Sequence, residues 1–375
     1  MVIGVPKEIK DNESRVAIQP SGVNMLSNSG HEVLIQSGAG LGSGFTDSDY
    51  SDCGAIIVPN SLDIFSNSEL ILKVKEPQPE EVSLIKEGQI IFTYFHFASS
   101  KVLTDAMIAT KSTAIAYETV QNDNDELPLL TPMSEVAGRM AVQNGAKCLE
   151  ISFGGKGKLL SGVPGVKPGV VTIIGAGIVG MNAAKLAAGM GAHVNILDID
   201  LNKLKYIDDI MPDNVTTIYS DRHAINELLP ITDLLIGAVL VVGDRAPKLI
   251  TKDMLKLMQP KSVIVDVAVD QGGCVETCKP TTHKNPTYEV NGITHYCVAN
   301  MPGAVPYTST KALSNATFKY VKIIADNGLE IALVENHDLM KGLNMHQGII
   351  THSGLSNAFG YNYLAPREIF STQAL

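Results

Sequence analysis

The segment Val170-Val171-Thr172-Ile173-Ile174-Gly175-Ala176-Gly177-Ile178-Val179-Gly180 joins a five-residue apolar run to a G-x-G-x-x-G pattern, and helical periodicity continues over residues 181–190. Such an arrangement binds dinucleotides. The first glycine makes a tight turn, the second lets the backbone approach a pyrophosphate, and the third lets helix and strand pack closely. The helix N-terminus, with its free N–H groups and dipole, favours the anion. A second apolar run, His193-Val194-Asn195-Ile196-Leu197, ends in Asp198. A carboxylate there can accept from both ribose hydroxyls and repels a 2′-phosphate, which favours NAD over NADP. Lys203 is close enough in sequence to offset part of that repulsion, and the alternative for Asp198 is a solvated helix cap.

Four further residues have types and positions suited to acid–base or anion chemistry. Arg15 follows an acidic, polar loop in an early βα connection, where its planar fork suits a carboxylate. It can equally be a surface arginine paired with Glu13. Lys75 ends the strand run Ile71–Val74, so it lies toward the ligand crevice of an open α/β sheet unless it is an ordinary exposed lysine. His96 follows the apolar run 90–94 between Phe95 and Phe97. Its imidazole either titrates near neutrality as a proton carrier or is a satisfied buried group. Asp270 closes Val263-Ile264-Val265-Asp266-Val267-Ala268-Val269 just before Gly272-Gly273; a cleft carboxylate and an Asx turn are both compatible with that place.

The elements that must position these residues are short apolar runs separated by helical patterns. In the first half they are 2–5, 32–35, 55–58, 70–74, 89–94 and 113–117, with helices over 20–28 and 101–110. A polar stretch at 121–126 interrupts the series, a helix begins at Pro132 and runs to about 152, and residues 154–167 form an exposed loop. A second series follows at 170–174, 194–197, 216–219, 234–237, 262–267 and 294–297. Strands spaced by helices imply parallel pairing. From Val305 the chain is mostly helical, without a strand series of its own, so it packs back onto the first domain. The expectation is an α/β protein of two Rossmann-like domains with doubly wound, mostly parallel sheets. Residues 1–130 and 306–375 form a discontinuous substrate and catalytic domain, and residues 131–305 form the NAD-binding domain. A cleft separates them, and the connections near Thr131 and Pro306 are the hinges.

Composition agrees with a soluble enzyme. The 375 residues are 45% apolar and 18% charged, with 33 glycines and a net charge of −10. Mean hydropathy is +0.13, yet no run reaches the roughly 18 unbroken apolar residues of a membrane helix. No Lys/Arg run is long enough to track a phosphate backbone, which argues against nucleic acid. Five cysteines without a basic-then-apolar leader imply reduced thiols and a cytoplasmic setting.

The longer motifs add a resemblance. Gly4-Val5-Pro6-Lys7-Glu8-Ile9-Lys10 and Glu13-Ser14-Arg15-Val16-Ala17 open it. Gly38-Ala39-Gly40, Lys73-Val74-Lys75-Glu76-Pro77, Tyr94-Phe95-His96-Phe97-Ala98 and Pro132-Met133-Ser134-Glu135-Val136-Ala137-Gly138 continue it. Gly155-Lys156-Gly157, Asp266-Val267-Ala268-Val269-Asp270-Gln271-Gly272-Gly273 and Asn300-Met301-Pro302-Gly303-Ala304-Val305-Pro306 complete it. In this order, over nearly the whole chain, they resemble the alanine dehydrogenase and nicotinamide nucleotide transhydrogenase family. The resemblance implies NAD-dependent reversible oxidative deamination of L-alanine to pyruvate and ammonia. It implies substrate binding by Arg15 and Lys75, and catalysis by His96 and Asp270. It carries cofactor contacts onto Ser134, Ile178, Val179, Lys203, Ser220, Val239, Leu240, Val267, Asp270, Val298, Asn300 and Met301, beside Gly175, Gly177, Gly180 and Asp198. It also implies a homo-oligomer, a hexamer as in the family, and Tyr94, Phe95, Leu130 and Met133 are the bulky candidates for a small substrate pocket.

Other readings are weaker. Cys274, Cys278 and His283, with His295 and Cys297 beyond, match no common zinc spacing, so no metal is expected. Lys156 and Lys158 lack the rest of a phosphate loop. The soluble part of a proton-translocating transhydrogenase would lead into a linker and membrane segments. An NAD-binding protein without catalysis would need no proton carrier at His96.

Overall fold

In a computed structural model, which describes residues 1–239, 246–269 and 272–371, the early apolar runs become β1 (Val2–Val5), β2 (Glu32–Gln36), β3 (Ile56–Val58), β4 (Leu70–Leu72), β5 (Ile90–Thr93) and β6 (Thr113–Ala116). β4, β5 and β6 are buried along their whole length, as expected of parallel strands covered by helices on both faces. Helices Pro20–Asn28 and Lys101–Thr110 occupy the predicted spans. Proline opens the first, and Ser100 caps the second by accepting from Leu103 N.

The second series gives β7 (Val170–Ile174), β8 (His193–Asp198), β9 (Val215–Tyr219), β10 (Leu234–Gly237), β11 (Val263–Asp266) and, after an additional edge strand β12 (Thr287–Val290) outside the expected series, β13 (Ile293–Tyr296). The tail, expected to be helical, adds β14 (Leu343–His346) and β15 (Ile349–Ile350) after helix Pro306–Asn327. That expectation is corrected: β14 pairs antiparallel with β6, and the tail completes the first sheet. The two hairpins, β12–β13 and β14–β15, turn through two residues of positive φ, Asn291-Gly292 (54° and 77°) and Gln347-Gly348 (49° and 80°). This is the backbone twist that matches paired strands.

Two units result, residues 1–133 with 305–375, and residues 134–304. The first holds a sheet of order β15-β14-β6-β5-β4-β1-β2-β3, the second one of order β12-β13-β11-β10-β7-β8-β9. Each is parallel apart from its hairpin edge. The chain crosses over between β1 and β4 in one sheet and between β7 and β10 in the other, and these reversals open the crevices in which doubly wound sheets bind ligands. Thr131 and Pro306 are each the first residue of a helix. Among the described residues, no helix is long and apolar enough to cross a membrane.

Each core lies against its sheet. Ile64, Phe65, Ile71, Ile91, Phe97 and Met107 pack together in the first unit, and Ile174, Leu197, Leu229, Leu235, Ile250 and Ile264 in the second. Charges are also buried. Lys73, directly after β4, is 1% exposed and bonds Glu8 Oε2 at 3.0 Å and Glu81 Oε1 at 2.7 Å. Burial alone would pull its ammonium down, but the two carboxylates hold it above its ordinary range. In the second unit Lys156 and Lys158 both face Asp233, at 2.5 and 3.8 Å. Asp233 also accepts from Val170 N at 2.8 Å, so this cluster anchors the start of β7.

Removing the shared cation should therefore be costly. Lys73→Met leaves Glu8 and Glu81 buried without it and is expected to destabilise the first unit by about 3–5 kcal/mol. Denaturant unfolding measures this, and an unchanged midpoint would show that the triad is not needed.

Candidate functional site

The polar residues of the first unit follow the carboxyl ends of three strands. Arg15 lies in the connection after β1, Lys75 after β4 and His96 after β5, and these strands are neighbours in the sheet. Arg15 is not at the surface: it is 2% exposed. Its fork is met by Glu13, Nε to Oε1 at 2.7 Å and Nη2 to Oε2 at 2.5 Å, and its own N–H donates to Oε1 at 3.0 Å. The pairing with Glu13 is therefore present, but inside the unit rather than on its surface. Nη1 points at Met133 Sδ, 3.0 Å away. Burial pushes the Glu13 carboxyl up, but hydrogen bonding and charge from Arg15 win and draw it from 4.5 to about 2. The pair therefore contributes stability fully above pH about 4.5 and loses it as pH falls toward 2.

Lys75 is partly buried. Burial, then the neighbouring charges of Arg15 and Lys10, pulls its ammonium below the ordinary lysine range. Its backbone is set from beneath, because Glu8 Oε1 accepts from Val74 N at 2.6 Å and Lys75 N at 3.3 Å. The same Glu8 holds Lys73, so the buried ion triad carries the strand end that presents Lys75.

His96 is exposed, with φ 50° and ψ 40°. A left-handed backbone at a non-glycine residue costs of order 1–3 kcal/mol and marks a place that its surroundings over-determine. Here those surroundings are Glu118, whose carboxylate accepts from His96 N at 2.5 Å and Phe95 N at 3.2 Å. The imidazole stacks on Tyr94 at 5.8 Å between centroids, with the planes 2° apart. Tyr94 is anchored in turn by its hydroxyl donating to Leu129 O at 2.5 Å. Of the bulky pocket candidates, Tyr94 and Met133 are buried at these contacts. Phe95 packs into the core, stacked on Phe97. Leu130 is only partly buried.

In the second unit the predicted cofactor residues also gather at strand ends. Gly175, Gly177, Ile178, Val179 and Gly180 follow β7, Asp198 ends β8, and Ser220 follows β9. Val239 follows β10, Val267 follows β11, and Val298, Asn300 and Met301 follow β13. Lys203 is exposed in the first turn of the helix after β8. Ser134 shares a helix face with Gly138 one turn on. A Cβ at Gly138 would stand 2.2 Å from Val179 O, so that face meets the glycine loop. Leu240 and Asp270 lie outside the described residues.

The glycine loop fits a pyrophosphate. A Cβ at Gly180 would stand 1.8 Å from Gly175 O, and one at Gly175, where φ is 106°, 2.7 Å from Ala238 O. At Gly177 a Cβ would meet nothing within 4 Å, so the space above the helix start is open. The first-turn N–H groups of helix Ile178–Gly189 have no intrahelical acceptor and face that space. Asp198 ties the loop to β8, its Oδ2 accepting from Ala176 N at 2.7 Å and its Oδ1 from Asp200 N at 2.9 Å.

Sequence reasoning does not single out Glu8, Lys73, Glu118, Asp266 or His283 as organisers. Asp266 is buried and accepts from Ala268 N and Val275 N, each at 3.1 Å, and His283 Nε2 lies 3.2 Å from Asn300 O. A lysine in an apolar strand run is a legible signal for Lys73. The others have none, because their partners are distant in sequence or within a loop. Of the residues weighed for zinc, His295 bonds Thr277 and Ile293 O, while the thiols of Cys278 and Cys297 lie within hydrogen-bonding reach of each other. Among the described residues no group of three or more His, Cys, Asp or Glu is placed to hold a metal.

Known proteins share this fold. Residues 4–137 match the family model described as alanine dehydrogenase/PNT, N-terminal domain, and residues 141–353 match the corresponding C-terminal domain. The alanine dehydrogenase of Methanococcus maripaludis is 54% identical over 97% of this chain and 98% of its own length. That of Bacillus subtilis is 52% identical over 100% and 99%. A solved L-alanine dehydrogenase superposes with a TM-score of 0.93 at 50% identity, covering 96% of this chain and 99% of the other. A transhydrogenase from Sinorhizobium meliloti shares the fold, with a TM-score of 0.79 at 23% identity over 94% and 99%. The chain belongs to the alanine dehydrogenase/PNT family.

Proposed function

We infer that the protein catalyses the NAD-dependent, reversible oxidative deamination of L-alanine to pyruvate and ammonia. The observation that carries this reading is the gathering of Arg15, Lys75 and His96 past the ends of β1, β4 and β5, in a chain of this family. Glu13 neutralises Arg15, so the group formed with Lys75 carries one net positive charge, suited to one carboxylate. Arg15 Nη1 and Lys75 Nζ hold the substrate carboxylate, and its negative charge restores to Lys75 the proton affinity that burial removed. Tyr94 and Met133 limit the room left for the side chain, which favours a methyl group.

Gly175, Gly177, Gly180 and the helix start hold the pyrophosphate of NAD, and Asp198 holds its ribose. Bound there, NAD⁺ supplies the acceptor for the hydride that leaves Cα. The chain's own residues handle protons. His96 takes the proton that the substrate ammonium must lose before C–N becomes an imine, and His96 and Asp270 share the transfers as water adds and ammonia leaves. The balance is L-alanine, NAD⁺ and water giving pyruvate, ammonium, NADH and a proton. The same reading makes the protein a cytoplasmic homo-oligomer, a hexamer as in the family. Exposed Ile151, Phe153, Leu159, Val163 and Val166 offer apolar surface for such contacts.

Three outcomes test the reading. Purified protein with L-alanine and NAD⁺ is expected to generate NADH absorbance, and pyruvate with ammonium to consume it; silence in both directions would sink the assignment. His96→Ala should abolish turnover while NADH still binds, as followed by nucleotide fluorescence. Should turnover survive that change, His96 carries no proton. Asp198→Ala should raise kcat/KM for NADP⁺ relative to NAD⁺ by about tenfold or more, since relieving about 1.4 kcal/mol of like-charge repulsion is a factor of ten; steady-state kinetics with both nucleotides measures it.

A further inference from the structure

Glu118 sits in the single helical turn Tyr117–Thr119 that follows β6, the neighbour of β5 in the sheet. Its carboxylate crosses from the end of one strand to the end of the next. There it meets two backbone N–H groups whose ladder has just ended. Oε1 accepts from both His96 N at 2.5 Å and Phe95 N at 3.2 Å, while Oε2 lies 3.3 Å from Phe95 N. Residue 96 is left-handed and not glycine, so some interaction must keep it there. Among the described residues, the turn itself adds Ser99 N and Ser99 Oγ, both donating to His96 O.

We propose that Glu118 is a positioning residue for His96: its carboxylate holds the left-handed backbone that stacks the imidazole on Tyr94 and aims it at the substrate. This rests on the reading of His96 as the proton carrier. Charged and titratable groups also face Glu118 from other elements. The half-buried imidazole of His352 senses its charge from the start of helix Ser353–Phe359, and Tyr94 does so from the end of β5. A role as a proton relay through that cluster is the rival account, and it makes a different prediction. Positioning needs only an oxygen acceptor at Oε1, whereas relaying needs an ionisable group.

The test compares Glu118→Ala with Glu118→Gln. Misplacing a catalytic group by about 1 Å costs about a hundredfold in rate. The alanine variant is therefore expected to lose about that much kcat for L-alanine oxidation, with KM for NAD⁺ changed less than about twofold. The glutamine variant, which keeps the carbonyl oxygen, should recover most of the loss. In parallel, amide hydrogen exchange of the peptide covering residues 94–100 should accelerate in the alanine variant and stay slow in the glutamine variant. Where the alanine variant does not fold, Glu118→Asp, one methylene too short to reach both N–H groups, should show the same faster exchange. A glutamine variant as impaired as alanine but with slow exchange would overturn the proposal in favour of the relay. An alanine variant with wild-type kcat and wild-type exchange would overturn it outright. Exchange is read without turnover, so a wild-type protein inactive on alanine would count against the functional reading while the positioning claim is still decided.

Discussion

Where a parallel strand ends, the next backbone N–H groups lose their ladder partners at a place that is still partly buried, and an unpaired buried N–H is costly. In this chain carboxylates take up that demand. Glu8 accepts from Val74 and Lys75 past β4, Glu118 from Phe95 and His96 past β5, Asp198 from Ala176 past β7, and Asp266 from Ala268 and Val275 past β11. Charge-assisted bonds of this type are shorter and stronger than neutral ones and fix direction as well as distance. The loops they fix are those that carry Lys75, His96 and the glycine turn. Satisfying the strand ends and fixing the loops that carry the candidate site residues are thus one task.

The arrangement puts several charges inside, and most of them have an opposite charge beside them. Lys73 pairs with Glu8 and Glu81, Arg15 with Glu13, and both Lys156 and Lys158 with Asp233. A net charge of −10 therefore says little about which ions the protein binds. What matters is the charge left over after local pairing. Past the end of β4, the ammonium of Lys75 is weakened by burial and by the cations beside it, which is why the proposed reading places the substrate carboxylate there.

Much of the fold is legible in the chain. The strand runs of both series stand within a few residues of their expected places, because continuous apolar segments of about four to six residues suit strands covered on both faces. The edge strand Thr287–Val290 alternates exposed and half-buried residues, so it has no apolar run to announce it. Its turn does carry a signal, since Asn291-Gly292 suits a two-residue hairpin, whereas Gln347-Gly348 carries little because glutamine rarely takes a positive φ. The candidate site residues Arg15, Lys75 and His96 are singled out through motifs, but their distant supports are not. Glu118 is 22 residues from His96 and Glu8 is 67 from Lys75, separations at which spacing carries no geometric information.

The βαβ alternation, the glycine loop with the acid that follows it, and the family can all be read from the chain alone. They are local patterns or ordered sets of them, because hydrophobic period and turn chemistry act over a few residues. Three other features emerge only once the chain is folded: Arg15 is buried against Glu13, the tail adds two strands to the first sheet, and a carboxylate from the neighbouring strand end holds His96 left-handed. Each depends on which segments become neighbours. That is settled by the crossover order of the sheet and by the packing around it, through contacts between residues that are mostly far apart in the chain.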